Sequence, residues 1–326
     1  MEVGFLTVML TVLSMVLLAV PAFILEKCKV LPESATKAFS AFLLFACQPF
    51  LTFMSFQRTE YQPSVLTNML ITAGLALAAH FVMVGLVLLL FAKKGADDRV
   101  RVVRFASVFG NCGFFGLPFL QSLFDTGEML IYAAVFVAIY NLLSWTVGIW
   151  LITGDKKFIK IKKAFLNPPF IALCVSLPLF IVLKQPLSSI GEAGTFLNDF
   201  FVKLTDSFNL LAEMTTPVSL SIVGIRLAQM KPKQLFGNGW VYCSSALKLL
   251  VFPLVAFAIL MLFPSVNVEV KYCVFFSCAM PTATQTLLFA EHYGGDPYTA
   301  SPAVLLNTCL SILTIPLMSL LLGFLG

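Results

Sequence analysis

Charge is scarce in this chain: Asp, Glu, Lys and Arg make up 11% of its 326 residues, while 59% are hydrophobic. A soluble domain carries about 25% charged residues, so a water-soluble fold is excluded. Histidine is scarcer still, with two copies, and the eight cysteines form no CxxC pair. Seven of them (Cys47, Cys112, Cys174, Cys243, Cys273, Cys278 and Cys309) sit in apolar stretches, where a thiol behaves as a small hydrophobe. A zinc or disulfide framework is therefore not expected. There is no GxxxxGK[ST] loop to cradle ATP, and no HExxH or GxSxG motif to support an intramembrane enzyme. No basic soluble module exists that could bind nucleic acid, and nothing calls for a bound cofactor.

What remains is hydrophobicity, with 33 Phe and a mean hydropathy of +0.95. A membrane-spanning helix needs about 20 apolar residues, and Gly, Pro and charge divide the chain into ten such stretches. They are 3–25, 36–56, 65–92, 101–123, 129–152, 166–184, 201–227, 238–263, 271–291 and 298–323. The runs are continuous, without the two-residue alternation of a membrane barrel, so the expected fold is an all-α polytopic membrane protein. Met1-Glu2-Val3 lacks the basic start of a signal peptide, and the first stretch reads as a retained span.

Positive loops set the orientation. Sixteen of the 21 Lys and Arg fall in the first, third, fifth and seventh loops. They are Lys27, Lys29 and Lys37; Lys93, Lys94, Arg99, Arg101 and Arg104; Lys156, Lys157, Lys160, Lys162 and Lys163; and Arg226, Lys231 and Lys233. The opposite side has Arg58, Lys184, Lys203 and Lys271. The odd-numbered loops are thus expected in the cytoplasm and both termini outside it.

The two halves also match. Gln48-Pro49 and Thr216-Pro217 are 168 residues apart, as are His80 and Lys248; Pro118 and Pro281 are 163 apart, and Asn141 and Asn307 are 166 apart. Five spans (1–152), a short cytoplasmic linker (153–165) and five more (166–326) form an inverted 5+5 repeat, because an odd number of spans per half reverses the second. The fourth span, Asn111-Cys112-Gly113-Phe114-Phe115-Gly116-Leu117-Pro118, cannot be a good helix, since Gly costs about 1 and Pro about 3 kcal/mol relative to Ala. The ninth contains Met280-Pro281-Thr282-Ala283-Thr284-Gln285. Paired breaks at corresponding places point to a transporter site. The half-helices beyond them would aim N–H groups and positive dipole ends at an anion.

Asn111-Cys112-Gly113-Phe114-Phe115-Gly116-Leu117-Pro118 resembles the N-x-G-x-x-G-x-P signature of the auxin efflux carrier family. The stretch Met280 to Asp296 is similar to that family's ninth span and following loop, and Asn307 to Leu317 to its last span. The resemblance implies the fold of bile acid symporters and some sodium/proton antiporters. In that fold spans 1, 2, 6 and 7 form a scaffold, spans 3–5 and 8–10 form a mobile transport domain, and the broken helices cross at their prolines. It also implies elevator-type transport and dimerisation through the scaffold. The short linker between halves suits a bacterial inner-membrane permease or a short plant type.

Asn111, Gly113, Gly116, Pro118, Pro281, Thr282, Thr284 and Gln285 are the expected substrate-binding residues, with Gln48 and Thr52 contributing from the second span. Lys248, ten residues from one end of its span and fifteen from the other, is far from either for snorkelling; it would face a bound carboxylate or stabilise the crossing from behind by binding the carbonyl ends of the broken helices. His80 could carry a coupled proton or simply bond a neighbouring helix. Glu213 lies four residues before Pro217, so the two share one helix face; it could titrate in a polar cavity or pair with a Thr or a backbone donor near the helix break. The expected function is secondary transport of a small organic anion, a mono- or dicarboxylate such as malate, malonate or an auxin-like acid, coupled to H+ or Na+ or to neither. A sodium-coupled bile-acid-like symporter would want acidic side chains near 111 and 281, and none is there; a channel or sensor of the same fold is the other alternative.

Overall fold

The computed structural model describes residues 4–95, 97–124, 126–159, 162, 165–229, 238–293 and 295–325. Met1, Glu2 and Val3, the topology-setting Lys160, Lys163, Lys231 and Lys233, and Gly294 lie outside the described residues.

Among the described residues, thirteen helices follow the apolar stretches, each within a few residues of its expected place. They are α1 (Phe5–Lys27), α2 (Ala35–Gln57), α3 (Pro63–Leu90), α4 (Asp98–Val108), α5 (Cys112–Leu123), α6 (Gly127–Thr153) and α7 (Pro168–Leu183). The second half continues with α8 (Phe196–Glu213), α9 (Thr215–Gln229), α10 (Gly239–Met261), α11 (Val268–Ala279), α12 (Gln285–Tyr293) and α13 (Pro297–Ser319). Polar caps open several of them: Asp97, Thr126, Thr195, Asn267 and Asp296 each accept a backbone N–H of the first turn.

Among the described residues, eight helical stretches are long and apolar enough to cross a membrane, with α8 and α9 counted together as one. The other two of the ten expected spans are the ones with the breaks. Each is divided into two short helices, α4 with α5 and α11 with α12, neither of which reaches membrane-crossing length alone. The seventh span is also interrupted, at Met214. Pro217 has no N–H and its ring collides with the carbonyl four residues back, which is that of Glu213, where α8 ends.

Three other prolines are absorbed without a break. Pro49, Pro118 and Pro253 each stand two residues after a π-helical turn, at Leu43–Cys47, Cys112–Gly116 and Leu247–Val251. Lengthening the hydrogen-bonded ring makes room for the proline ring and its missing donor. The π turn at Ser144–Gly148 has no proline. There the Thr146 and Ser144 hydroxyls donate to the carbonyls of Leu142 and Asn141, competing with the helical ladder.

The helices pack around two centres, joined by the contacts of α1 with α13 and of α2 with α6. In one, α1 lies along α9, and α7 and α8 pack on α2, with Phe50 against Phe208 at 4.7 Å and Phe56 against Phe180 at 5.4 Å between ring centres. The α1–α9 approach requires Gly224, where a Cβ would stand 2.1 Å from the Ala19 carbonyl oxygen. In the other, α3, α6, α10 and α11 surround a buried aromatic core that includes Phe119, Phe136, Phe252, Phe275 and Phe276, with α13 against α4, α10 and α12. The outer surface is apolar: Leu17, Leu70 and Leu89 are 70%, 75% and 79% exposed, as hydrocarbon contact requires.

Candidate functional site: a crossing of two broken helices

The two breaks meet. Gly110 and Thr282 form an isolated antiparallel bridge: the Asn111 N–H donates to the Pro281 carbonyl at 2.6 Å, and the Ala283 N–H to the Phe109 carbonyl at 2.9 Å. Backbone freed by breaking each helix is thus satisfied by the other, the only alternative in hydrocarbon to leaving it unpaired. Gly110 is required at this point. A Cβ there would lie 2.7 Å from the Lys248 Nζ and 3.1 Å from the Met280 carbonyl oxygen.

Side chains complete the crossing. Thr282, fully buried, donates its hydroxyl to the Ala106 carbonyl at 2.8 Å and accepts from the Asn307 Nδ2 at 2.5 Å. Lys248, also fully buried, donates to the Cys278 carbonyl at 3.0 Å and sits 4.2 Å from the Phe252 ring centre. Ala106 and Cys278 belong to the last turns of α4 and α11, so the carbonyl ends of both first half-helices find protein donors. Lys248 thus bonds the carbonyl end of a broken helix, and it does not line the cavity described next.

The second half-helices start at the opposite electrostatic pole. Asn111 accepts the Phe114 N–H at 3.2 Å through Oδ1, capping α5, and α12 starts at Gln285. Both starts border a cavity of about 670 Å³ lined by Gln48, Asn111, Gly113, Phe114, Tyr140, Asn141, Trp145, Arg226, Thr284 and Gln285, among others. It extends to the exposed side chains of Glu33, Lys37 and Gln229, at the end of the molecule that carries the basic loops. Gln121, Thr216 and Glu213, toward the other end, do not line it.

Of the expected binding residues, Asn111, Gly113, Thr284, Gln285 and Gln48 are brought together on the cavity wall. Gln48 donates to the Gly113 carbonyl at 3.0 Å, and Gln285 accepts the Tyr140 hydroxyl at 2.9 Å. Pro281 and Thr282 lie in the crossing itself, Gly116 packs where a Cβ would meet the Met280 side chain at 3.0 Å, and Pro118 and Thr52 are buried; none of these five lines the cavity. His80 is buried in an aromatic box of Phe109, Phe136, Tyr140 and Phe252, with Nδ1 2.7 Å from the Ala76 carbonyl. Glu213, the last residue of α8, lies away from the cavity. Its half-exposed carboxylate lies 3.5 Å from Arg58 and accepts from Asn209 at 2.8 Å.

Tyr140, Trp145 and Arg226 are wall residues that the sequence does not mark: the two aromatics look like ordinary core residues and Arg226 like a loop cation, while Asn141 stands out only as a repeat match. Periodicity offers no signal for Tyr140 or Trp145, whereas Arg226, three residues inside the end of α9, is set apart by helical phase. Among the described residues no three His, Cys, Asp or Glu side chains gather closely enough to hold a metal ion.

No curated protein matches the chain. The sequence signature of the family described as "Membrane transport protein" matches residues 7–319. The protein is an integral, multi-pass membrane protein and, as that match over nearly its whole length shows, it belongs to the auxin efflux carrier family of membrane transporters.

Proposed function

We propose that the chain is a secondary transporter of a small organic anion, a mono- or dicarboxylate. The carboxylate binds at the N-terminal ends of α5 and α12, where they meet the cavity. The observation that carries this reading is the polarity of the crossing. The carbonyl ends of α4 and α11 are matched by the Thr282 hydroxyl and the Lys248 ammonium, while the positive ends of α5 and α12 face open volume. Each such end is equivalent to roughly half a positive charge, and first-turn N–H groups lack intrahelical acceptors. A carboxylate answers both.

The grouping of helices supports a division of labour. The group containing α1, α2, α7, α8 and α9 serves as a scaffold, and the group containing the crossing carries the substrate in an elevator-like displacement. The inverted 5+5 arrangement of ten spans fits the two crossing breaks and the offsets of the repeat. Access is then from the cytoplasm in this conformation, with both termini on the far side, since the cavity reaches the basic end. Contacts between the groups close the other end: Thr216 donates to Gln121 at 3.1 Å, and Ser219 donates to the Phe114 carbonyl.

Uptake of radiolabelled mono- and dicarboxylates into proteoliposomes, with imposed potential and with or without H+ and Na+ gradients, tests the reading. Saturable flux that falls at least tenfold in Asn111→Ala, in protein that remains monodisperse, is the expected result. Absence of flux for every carboxylate, in vesicles shown to hold folded protein, refutes it.

A further inference from the structure

The cavity contains one cation close to the crossing, and it does not come from the crossing. Arg226, on α9, lines the main cavity and also an adjoining niche of about 20 Å³ that it shares with Asn111, Phe114 and Thr284. Arg226 and the crossing residues Asn111 and Thr284 thus border the same small space. The Arg226 Nε–H is buried without a hydrogen-bond partner among the described residues. No described carboxylate lies within the 4 Å of an ion pair; Glu291 acts on it electrostatically from farther away. The other charges on the wall, Glu33 and Lys37, stand at the exposed mouth and are of opposite sign.

Charge counting then separates two kinds of substrate. The two helix N-termini together supply about one positive charge, which one carboxylate balances. Arg226 supplies a second, fixed in a planar fork suited to a carboxylate. We propose that Arg226 is a specificity-determining residue: it receives the second carboxylate of a short dicarboxylate whose first is held at the crossing, so that the site prefers dianions to monoanions of equal length. This rests on the organic-anion reading above and narrows it. Because Arg226 belongs to the helix group opposite the crossing, such a substrate would touch both groups at once, whereas a monocarboxylate would touch one.

The test is uptake into proteoliposomes of full-length protein, at a pH where both carboxyls are ionised, comparing malonate and succinate with acetate and propionate. The wild type is expected to favour dicarboxylates by about tenfold to a hundredfold, the range of one charge-assisted hydrogen-bonded contact. In Arg226→Gln that ratio falls toward one, and Arg226→Lys recovers part of it. If Arg226→Gln carries too little flux to measure, the rise in melting temperature of the purified variant on adding each acid supplies the same ratio. An unchanged ratio in Arg226→Gln, or a wild type indifferent to the second carboxylate, overturns this inference and leaves the organic-anion reading standing. Failure of every carboxylate to be carried or bound overturns both.

Discussion

Thr282 offers the sharpest test of the crossing, because an isosteric substitution separates hydrogen bonding from hydrophobic packing. Thr282→Val keeps the volume and adds apolar character at a fully buried position. On packing grounds alone it would be neutral or favourable. It would, however, strip the Ala106 carbonyl of its 2.8 Å donor and the Asn307 Nδ2 of its 2.5 Å acceptor. The Oδ1 of Asn307 already has no partner among the described residues, so the whole amide would be stranded. Each orphaned buried group costs about 1–3 kcal/mol, giving a loss of about 2–6 kcal/mol for the two. With an unfolding entropy of about 2.1 cal/mol/K per residue, that lowers the apparent melting temperature by roughly 3–9 °C. Thr282→Ser keeps both hydrogen bonds and loses one methyl group, about 1 kcal/mol and roughly 1–2 °C. The assay is intrinsic-fluorescence melting of the two purified variants in the same detergent. The reasoning fails if Val is as stable as wild type, or if Ser is the worse of the two.

Three further outcomes are expected. Gly224→Ala would push a methyl group to within 2.1 Å of the Ala19 carbonyl oxygen; since backbone cannot swing aside, α1 and α9 must separate, for about 1–3 kcal/mol, seen as a lower melting temperature and poorer monodispersity, and wild-type behaviour would contradict the α1–α9 contact. Lys248→Met removes an ammonium whose desolvation cost roughly offsets its hydrogen bond and ring contact; melting should move by only a few degrees while anion flux falls at least tenfold, and full flux would show that the support behind the crossing is dispensable. Cys28 is exposed, just beyond the end of α1; a membrane-impermeant maleimide should label it in inside-out vesicles and not in intact cells, with Cys28→Ser removing the signal, and the reverse pattern would invert the topology.

The breaks were legible because glycine and proline act locally. Gly110, Gly113, Gly116 and Pro118 weaken one helix, Pro281 interrupts another, and no tertiary contact is needed to see it. What they would do with the freed backbone was not legible: the bridge joins Gly110 to Thr282, 172 positions along the chain, and no local pattern encodes it. Depth revealed that Lys248 must have a partner, but not that the partner would be a carbonyl of α11. For Glu213 a pairing donor could be expected, but no local pattern shows that Arg58, 155 positions earlier, stands beside it. Thr216 stands out in the sequence only as a repeat match, and nothing local pairs it with Gln121, 95 positions earlier.

The same physics explains why the site's motif contains no charge. Breaking two helices creates two negative and two positive ends at mid-membrane depth. The negative ends are answered from within the chain, by Thr282 at Ala106 and by Lys248 at Cys278. The positive ends of α5 and α12 have only the modest caps and amides of Asn111, Thr284 and Gln285 beside them. On the reading proposed above, the attraction for an anion at those two ends arises from backbone dipoles rather than from a charged side chain. Backbone dipoles recognise a carboxylate and are indifferent to what is attached to it. Discrimination must then come from the walls, from Tyr140, Asn141, Trp145 and Arg226, which is why the glycine, proline and asparagine pattern identifies the kind of site while the substrate is decided by side chains that the pattern does not contain.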